Sequence, residues 1–329
     1  MEKVATLPSE ERAELFRETA TRRGISNAVA EKDFWVCWSI AKLFDDQHLA
    51  PKILFKGGTS LSKVFRLIER FSEDIDLILD WREITNKNPE EQRSRTKQDQ
   101  FNKQLQTAAQ EYIRDQLLPL CQQLLAPVVQ VELDPSDPHV ISVKYPASFS
   151  ETYIRPEIRL EIGPLAIWTP NERYEITPYC AEEFPKVFNR KTCNVQCIKA
   201  ERTFWEKATI LHHEAFRPDR SSQPDRYSRH YYDLARLAKS PVKKAAFSDL
   251  TLLTSVVASK DRFYPRGWAR YDLAKPGTMR LSPPEHIQSS LERDYREMRV
   301  MIYGEIPPFD DLLSQIKTLE SEINALAAP

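Results

Sequence analysis

The pattern of apolar residues changes near residue 190, and that change restricts the chain to few architectures. Before it, short β-branched and apolar runs at 52–55, 75–79, 128–133, 140–145 and 154–162 have the length of strands. Helical periods fill two stretches within 8–47, then 59–68 and 100–118. After it the pattern is helical throughout, over 199–213, 231–239, 242–258, 285–302 and 309–327. The polar stretches 81–98 and 217–229 read as loops. Pro8 or Ser9 should start the first helix and Gly24 end it, and Ser26 or Asn27 should cap the second. The second helix carries an apolar stripe of Phe34, Trp35, Trp38 and Leu43, which reads as core. The fold class expected is α+β, with a mixed sheet in a first part, 1–190, and a helical second part, 191–329.

The 329 residues suffice for a sizeable core, and 41% apolar with 29% charged residues describes a globular chain. The longest apolar stretches, such as 75–79, are too short for a bilayer, and the N-terminus is polar with no signal-peptide core, which points to the cytoplasm. Among five cysteines, Cys37 and Cys121 lie in apolar-periodic segments and read as small buried hydrophobes. Cys180, Cys193 and Cys197 stand closer together, with His212 and His213 after them. A zinc site there would need a second matched pair that the spacing lacks, so reduced thiols are the expectation.

With only seven glycines in the chain, the adjacent pair Gly57 and Gly58 stands out, between a strand and a helix. Such a joint can direct backbone N–H groups at a phosphate, with the Thr59 and Ser60 hydroxyls as further donors. It is equally a common structural turn with a threonine cap. Phe71-Ser-Glu-Asp74-Ile-Asp76-Leu77 follows. Asp74 and Asp76 are two apart at the start of a strand and so share a face. Two carboxylates that close repel unless a cation lies between them, and a hard divalent ion suits oxygen donors. A solvated strand end is the plain alternative. A phosphate turn, a helix and then an acid pair on the next strand together favour phosphoryl-type chemistry. Glu157, Arg159 and Glu161 also alternate, and Glu161 is the candidate third acid.

These residues resemble a known family. Lys56-Gly-Gly-Thr-Ser-Leu-Ser-Lys63 followed by Arg70-Phe-Ser-Glu-Asp-Ile-Asp-Leu77 is similar to the first motif of the AbiEii/AbiGii-type toxin nucleotidyltransferases, of the polymerase-β-like superfamily. Glu201-Arg-Thr-Phe-Trp-Glu-Lys207 resembles the family's helical Glu…Glu-Lys segment, and Arg229-His-Tyr-Tyr-Asp233-Leu its Arg-x-x-x-Asp-Leu segment. The resemblance implies a small mixed sheet carrying the acids, a helical C-terminal half, and a role as a toxin in toxin–antitoxin or phage-defence systems. Some members, such as the MenT group, add nucleotides to the 3′ end of tRNA. Carried over, Asp74 and Asp76 would bind metal, Ser60 or Thr59 would hold phosphate, Lys207 would contact the triphosphate, and Asp233 would lie beside it. Ser72 stands where relatives can carry a phosphorylated serine. From the residues alone, Lys207 could equally snorkel along its helix, and Asp233 could pair with Arg229 or Lys207.

The reaction expected is therefore nucleotidyl transfer, with Mg2+ (or Mn2+) between Asp74, Asp76, Glu161 and the triphosphate of an NTP. Lys56, Gly57, Gly58, Thr59, Ser60 and Ser72 are the expected nucleotide-binding residues. The net charge of −1 hides a basic stretch: over 186–244, fourteen Lys/Arg face six Asp/Glu. With Arg217, Arg220, Arg226 and Arg229 in a loop, this stretch is expected to bind an RNA acceptor such as tRNA. A solvated helical surface is the alternative reading of the same charges. Nucleotidylation of a protein or small-molecule hydroxyl, or nucleotide or RNA binding without catalysis, are the other functions open to such a chain. A cognate antitoxin is a further expected partner.

Overall fold

The computed structural model describes residues 1–151 and 154–327. Seven strands are β1 (Ile53–Lys56), β2 (Ile75–Leu79), β3 (Gln130–Leu133), β4 (Val140–Lys144), β5 (Glu157–Gly163), β6 (Asn171–Ile176) and β7 (Cys193–Ile198). They form one sheet in the order β3-β4-β5-β2-β1-β7-β6. The β2–β5 and β1–β7 pairs are parallel and the other four antiparallel, so the sheet is mixed. The helices of this first part are α1 (Glu2–Ala5), α2 (Ser9–Arg23), α3 (Asn27–Asp45), α4 (Gly57–Lys63), α5 (Arg95–Tyr112), α6 (Leu118–Leu125) and α7 (Tyr179–Glu183). Those of the second part are α8 (Ala200–Ala215), α9 (Ser228–Ala238), α10 (Pro241–Ser248), α11 (Leu250–Phe263), α12 (Glu285–Met298) and α13 (Phe309–Asn324).

Local signals act as the sequence predicts. Gly24 closes α2 in the left-handed conformation at φ 62°, and the Ser26 side chain accepts the Val29 N–H at the start of α3. Two helical expectations are revised. The 59–68 helix stops at Lys63, and the 242–258 pattern breaks into α10 and α11, because Asp249 turns its carboxylate to the N–H groups of Thr251 and Leu252 and starts a new helix.

The chain forms two compact units, Met1–Val64 with Phe71–Ile198, and Phe65–Arg70 with Lys199–Pro329. The expected division at 190 moves for a physical reason. β7 pairs with both β1 and β6, so residues up to Ile198 belong to the sheet. β6 and β7 went unpredicted because Asn171–Ile176 is mostly polar and Cys193–Ile198 mixes Asn and Gln among its apolar residues.

The two faces of the sheet differ. Ile53, Phe55, Ile75, Leu77, Leu79, Ile141, Val143, Ile158, Leu160 and Ile162 are all buried on one face. α3 packs on β7 and β5 and buries nearly its whole length, including Phe34, Trp35, Trp38 and Leu43. The opposite face carries Lys56, Asp76, Glu157, Arg159 and Glu161, which alternate with buried neighbours in β1, β2 and β5. Glu157, Arg159 and Glu161 do share that face. In the helical unit, α8 packs on α9, α10 and α11, and α9 on α12 and α13. The Trp205 and Phe247 rings stack there with centroids 6.1 Å apart. Among the described residues no helix is long and apolar enough to cross a membrane.

Candidate active site

The register of the central strands aligns three of the candidate residues. Lys56 of β1 stands opposite Asp76 of β2, and Asp76 opposite Glu161 of β5. The three residues therefore lie in one row on the same face of the sheet. β1 runs directly into α4 through Gly57, whose φ of 83° favours glycine. A Cβ on Gly57 would collide with the Asp76 carboxylate, so this carboxylate is seated against the backbone of the turn. The glycine is required both for the turn and for the approach of the acid.

α4 holds the acid loop by its own hydroxyls. Thr59 Oγ1 donates to the backbone carbonyl of Asp74 and lies 3.4 Å from that of Ser72, while Ser60 Oγ donates to the Gly57 carbonyl at 2.8 Å. Both residues are buried. Their hydroxyl protons are thus taken by main-chain carbonyls, which corrects the expectation that either is a free donor for phosphate. Donors at this turn would be backbone N–H groups. Ser72 is half-buried on the same loop.

Glu161 is aligned with Asp76, but its carboxylate lies 3.7 Å from Arg159 Nε. Among the described residues no three His, Cys, Asp or Glu side chains gather to hold a metal ion, so the expected Asp74–Asp76–Glu161 cluster is not assembled. The donor chemistry of the two aspartates fits a divalent cation all the same. Both offer hard oxygen ligands two residues apart, one of them in a cradle that a Cβ would fill. All five cysteines are buried free thiols. Burial pushes Cys121, Cys193 and Cys197 up to about 12, the behaviour of small hydrophobes rather than metal thiolates.

In the helical unit, Lys207 of α8 and Asp233 of α9 meet at 2.7 Å, and Arg70 grips the same carboxylate through two 2.7 Å bonds. All three are buried. Burial opposes ionisation of Asp233, but Arg70 and Lys207 outweigh it and hold its carboxyl well below the usual carboxylate range. Burial lowers the Lys207 ammonium despite Asp233, and His230 Nδ1 lies 3.4 Å from its Nζ. Asp233 thus pairs with Lys207, as one reading of the sequence had it, and with Arg70 rather than Arg229. Lys207 does not snorkel, since its head group is enclosed.

The basic loop departs from expectation at one position. Arg217 is buried, forms a two-bond pair with Glu214 and donates to Ser221 Oγ and the Ser222 carbonyl. It folds the loop instead of facing outward. Arg220 and Arg226 are exposed and Arg229 is half-buried.

The sequence reading did not single out the buried charges that pair between distant segments. Glu31, Lys32 and Asp33 are all buried on α3, and Arg70 anchors Asp233. The signal was three successive charges inside an otherwise apolar helix, an arrangement a solvated surface does not require.

The family described as nucleotidyl transferase AbiEii toxin, type IV toxin–antitoxin system, matches residues 40–315. A comparison with curated protein sequences finds no match. Among solved structures, MenT4, a nucleotidyltransferase toxin from Mycobacterium tuberculosis, is similar at 16% identity over 95% of this chain and 97% of its own, with a TM-score of 0.46. JHP933 from Helicobacter pylori is similar at 16% identity over 90% of this chain and 97% of its own, with a TM-score of 0.34. With its family's match running across most of both units, the chain belongs to the AbiEii nucleotidyltransferase toxins of type IV toxin–antitoxin systems and is a nucleotidyltransferase.

Proposed function

We propose that this nucleotidyltransferase moves a nucleoside monophosphate from an NTP to an RNA acceptor, such as the 3′ end of tRNA, using Mg2+ or Mn2+ held by Asp74 and Asp76. The reading rests on one observation: the Asp76 carboxylate is seated in the Gly57 turn, in a row with Lys56 and Glu161. A divalent cation bound there supplies charge neutralisation at the phosphates and favours the alkoxide form of the acceptor hydroxyl. The chain's own part is positioning. Gly57 and Gly58 open α4, whose first backbone N–H groups are assigned to phosphate, and Thr59 fixes the loop that carries Asp74. Lys56 adds a positive charge beside Asp76, and Glu161 is the nearest further carboxylate in register. Lys207 is assigned to the triphosphate, with Asp233 holding its ammonium in place. Arg220, Arg226 and Arg229 are assigned to the RNA backbone, and a cognate antitoxin protein is the regulatory partner.

Incubating the protein with each labelled NTP and total RNA tests this. Label should enter an RNA band, and Asp74→Asn should leave that band unlabelled. Label appearing in protein and not in RNA would replace the RNA acceptor with a protein hydroxyl.

A further inference from the structure

Glu31, Lys32 and Asp33 are consecutive residues of α3, with 0%, 1% and 1% exposure. Charges so enclosed are costly unless partnered, and each of the three finds its partner in another segment. Glu31 accepts the backbone N–H groups of Ser148 and Phe149. Lys32 Nζ donates to Glu73 Oε2 at 2.8 Å and to the Arg155 carbonyl at 3.0 Å. The same Glu73 oxygen lies 3.4 Å from the Arg155 backbone nitrogen. Asp33 receives Lys63 Nζ at 2.6 Å through one oxygen and the Tyr179 N–H at 2.6 Å through the other.

Two of these partners border the candidate site. Glu73 immediately precedes Asp74, and Lys63 ends α4, the helix that begins at Gly57. Thr59 of α4 in turn donates to the Asp74 carbonyl. The Asp74 backbone is therefore held from two directions, through Glu73 to Lys32 and through α4 and Lys63 to Asp33. Besides Glu73, the negative charges of Asp74 and Glu157 act on the Lys32 ammonium.

We propose that Lys32 is a positioning residue for nucleotidyl transfer: by holding Glu73 it fixes the backbone from which Asp74 projects, and so sets the spacing of the Asp74 and Asp76 carboxylates for a divalent cation. The inference rests on the reading of Asp74 and Asp76 as cation ligands. A purely structural pair would make a different prediction. Removing one member of a buried pair leaves an unpaired charge and destabilises the fold, whereas removing both leaves none. If folding were its only role, removing both charges would restore everything.

The test uses the full chain and reads direct Mn2+ binding, from the paramagnetic resonance of free Mn2+, beside thermal melting and turnover. Lys32→Met alone should melt early. The double variant Lys32→Met with Glu73→Gln should regain most of the melting temperature, yet bind Mn2+ about tenfold more weakly and turn over correspondingly slowly, as expected on loss of an orienting partner. Glu73→Gln alone leaves the enclosed Lys32 ammonium without its counter-charge, so it should melt below the double variant and also bind Mn2+ more weakly. Wild-type Mn2+ affinity in either folded variant overturns the proposal. Asp74→Asn separates it from the reading beneath it. If that variant binds Mn2+ as the wild type does, the acid pair is not the cation site, and the positioning role falls with it. If it loses Mn2+ while the Lys32 and Glu73 variants keep it, only the positioning role falls.

Discussion

A methyl group on Gly57 would enter the space of the Asp76 carboxylate at a backbone φ of 83°, so Gly57→Ala meets two separate penalties. The conformational one is about 1–2 kcal/mol for a non-glycine residue in the left-handed region. The second displaces an acid from its seat. Gly57→Ala should therefore remain folded by circular dichroism and lose nucleotide transfer; full turnover would show that the Asp76 seat is irrelevant. Asp74→Asn should abolish transfer while the metal-free protein melts at or slightly above the wild-type temperature, because one of two repelling carboxylates becomes neutral. Lys207 behaves differently from a surface lysine. Lys207→Met removes one of two cations from the enclosed Asp233 and should cost about 3–5 kcal/mol of stability, besides any loss of NTP use. A melting curve like that of the wild type would mean the pair is not formed in solution.

Elements are tied together in this chain by carboxylates supplied from outside them. The start of α9 has no cap from its own Tyr227; Asp294 of α12 accepts the N–H groups of Arg226 at 2.5 Å and Ser228 at 2.7 Å instead. Glu214, near the end of α8, gathers the loop that follows through Arg217 and Gln223. Burial opposes its ionisation, but the bonds from His213 and Arg217 prevail, and its carboxyl is pushed down to about 2. The folded value lies below the unfolded value of about 4.3. The stabilisation is therefore fully present above that value and is lost as pH falls toward 2. Glu214→Gln should lower stability at neutral pH by roughly 3 kcal/mol and flatten the fall between about pH 5 and 2. Asp233, also held low, adds a loss of the same sign at still lower pH. Melting curves across that pH range check the prediction, and parallel acid limbs in wild type and variant would refute it.

At the scale of the whole molecule, the chain enters the helical unit twice, once for Phe65–Arg70 and again from Lys199 onward. The first visit delivers Arg70 to Asp233, and Arg70 is followed directly by the acid loop. The surplus of positive charge over 186–244 is likewise a property of the chain as a whole, set against a net charge of −1. Phosphate-backbone binding releases counterions, so neutralising one contacting arginine should reduce the slope of log affinity against log salt by about one unit. Arg220→Gln and Arg226→Gln should each weaken tRNA binding in this way, the first without lowering the melting temperature. Arg217→Gln should lower the melting temperature, because its guanidinium is bound to Glu214. An unchanged salt slope in the Arg220→Gln/Arg226→Gln double variant would remove this loop as the RNA contact.

What the sequence determined by itself was whatever depends on neighbours along the chain. Gly24 and Ser26 placed helix ends, alternation put Glu157, Arg159 and Glu161 on one face, and the spacing of Gly57 from Asp74 and Asp76 marked the family's first motif. Local backbone geometry decides each of these, and it can be read from a few adjacent residues. The tertiary structure alone decided where buried charges find partners. Lys32 meets Glu73 across 41 residues, Asp33 meets Lys63 across 30, and Arg70 meets Asp233 across 163. It also turned Arg217 inward and engaged the Thr59 and Ser60 hydroxyls with carbonyls. An enclosed polar atom must be satisfied by whatever the fold brings to it, and no property of its own segment specifies which distant residue that will be.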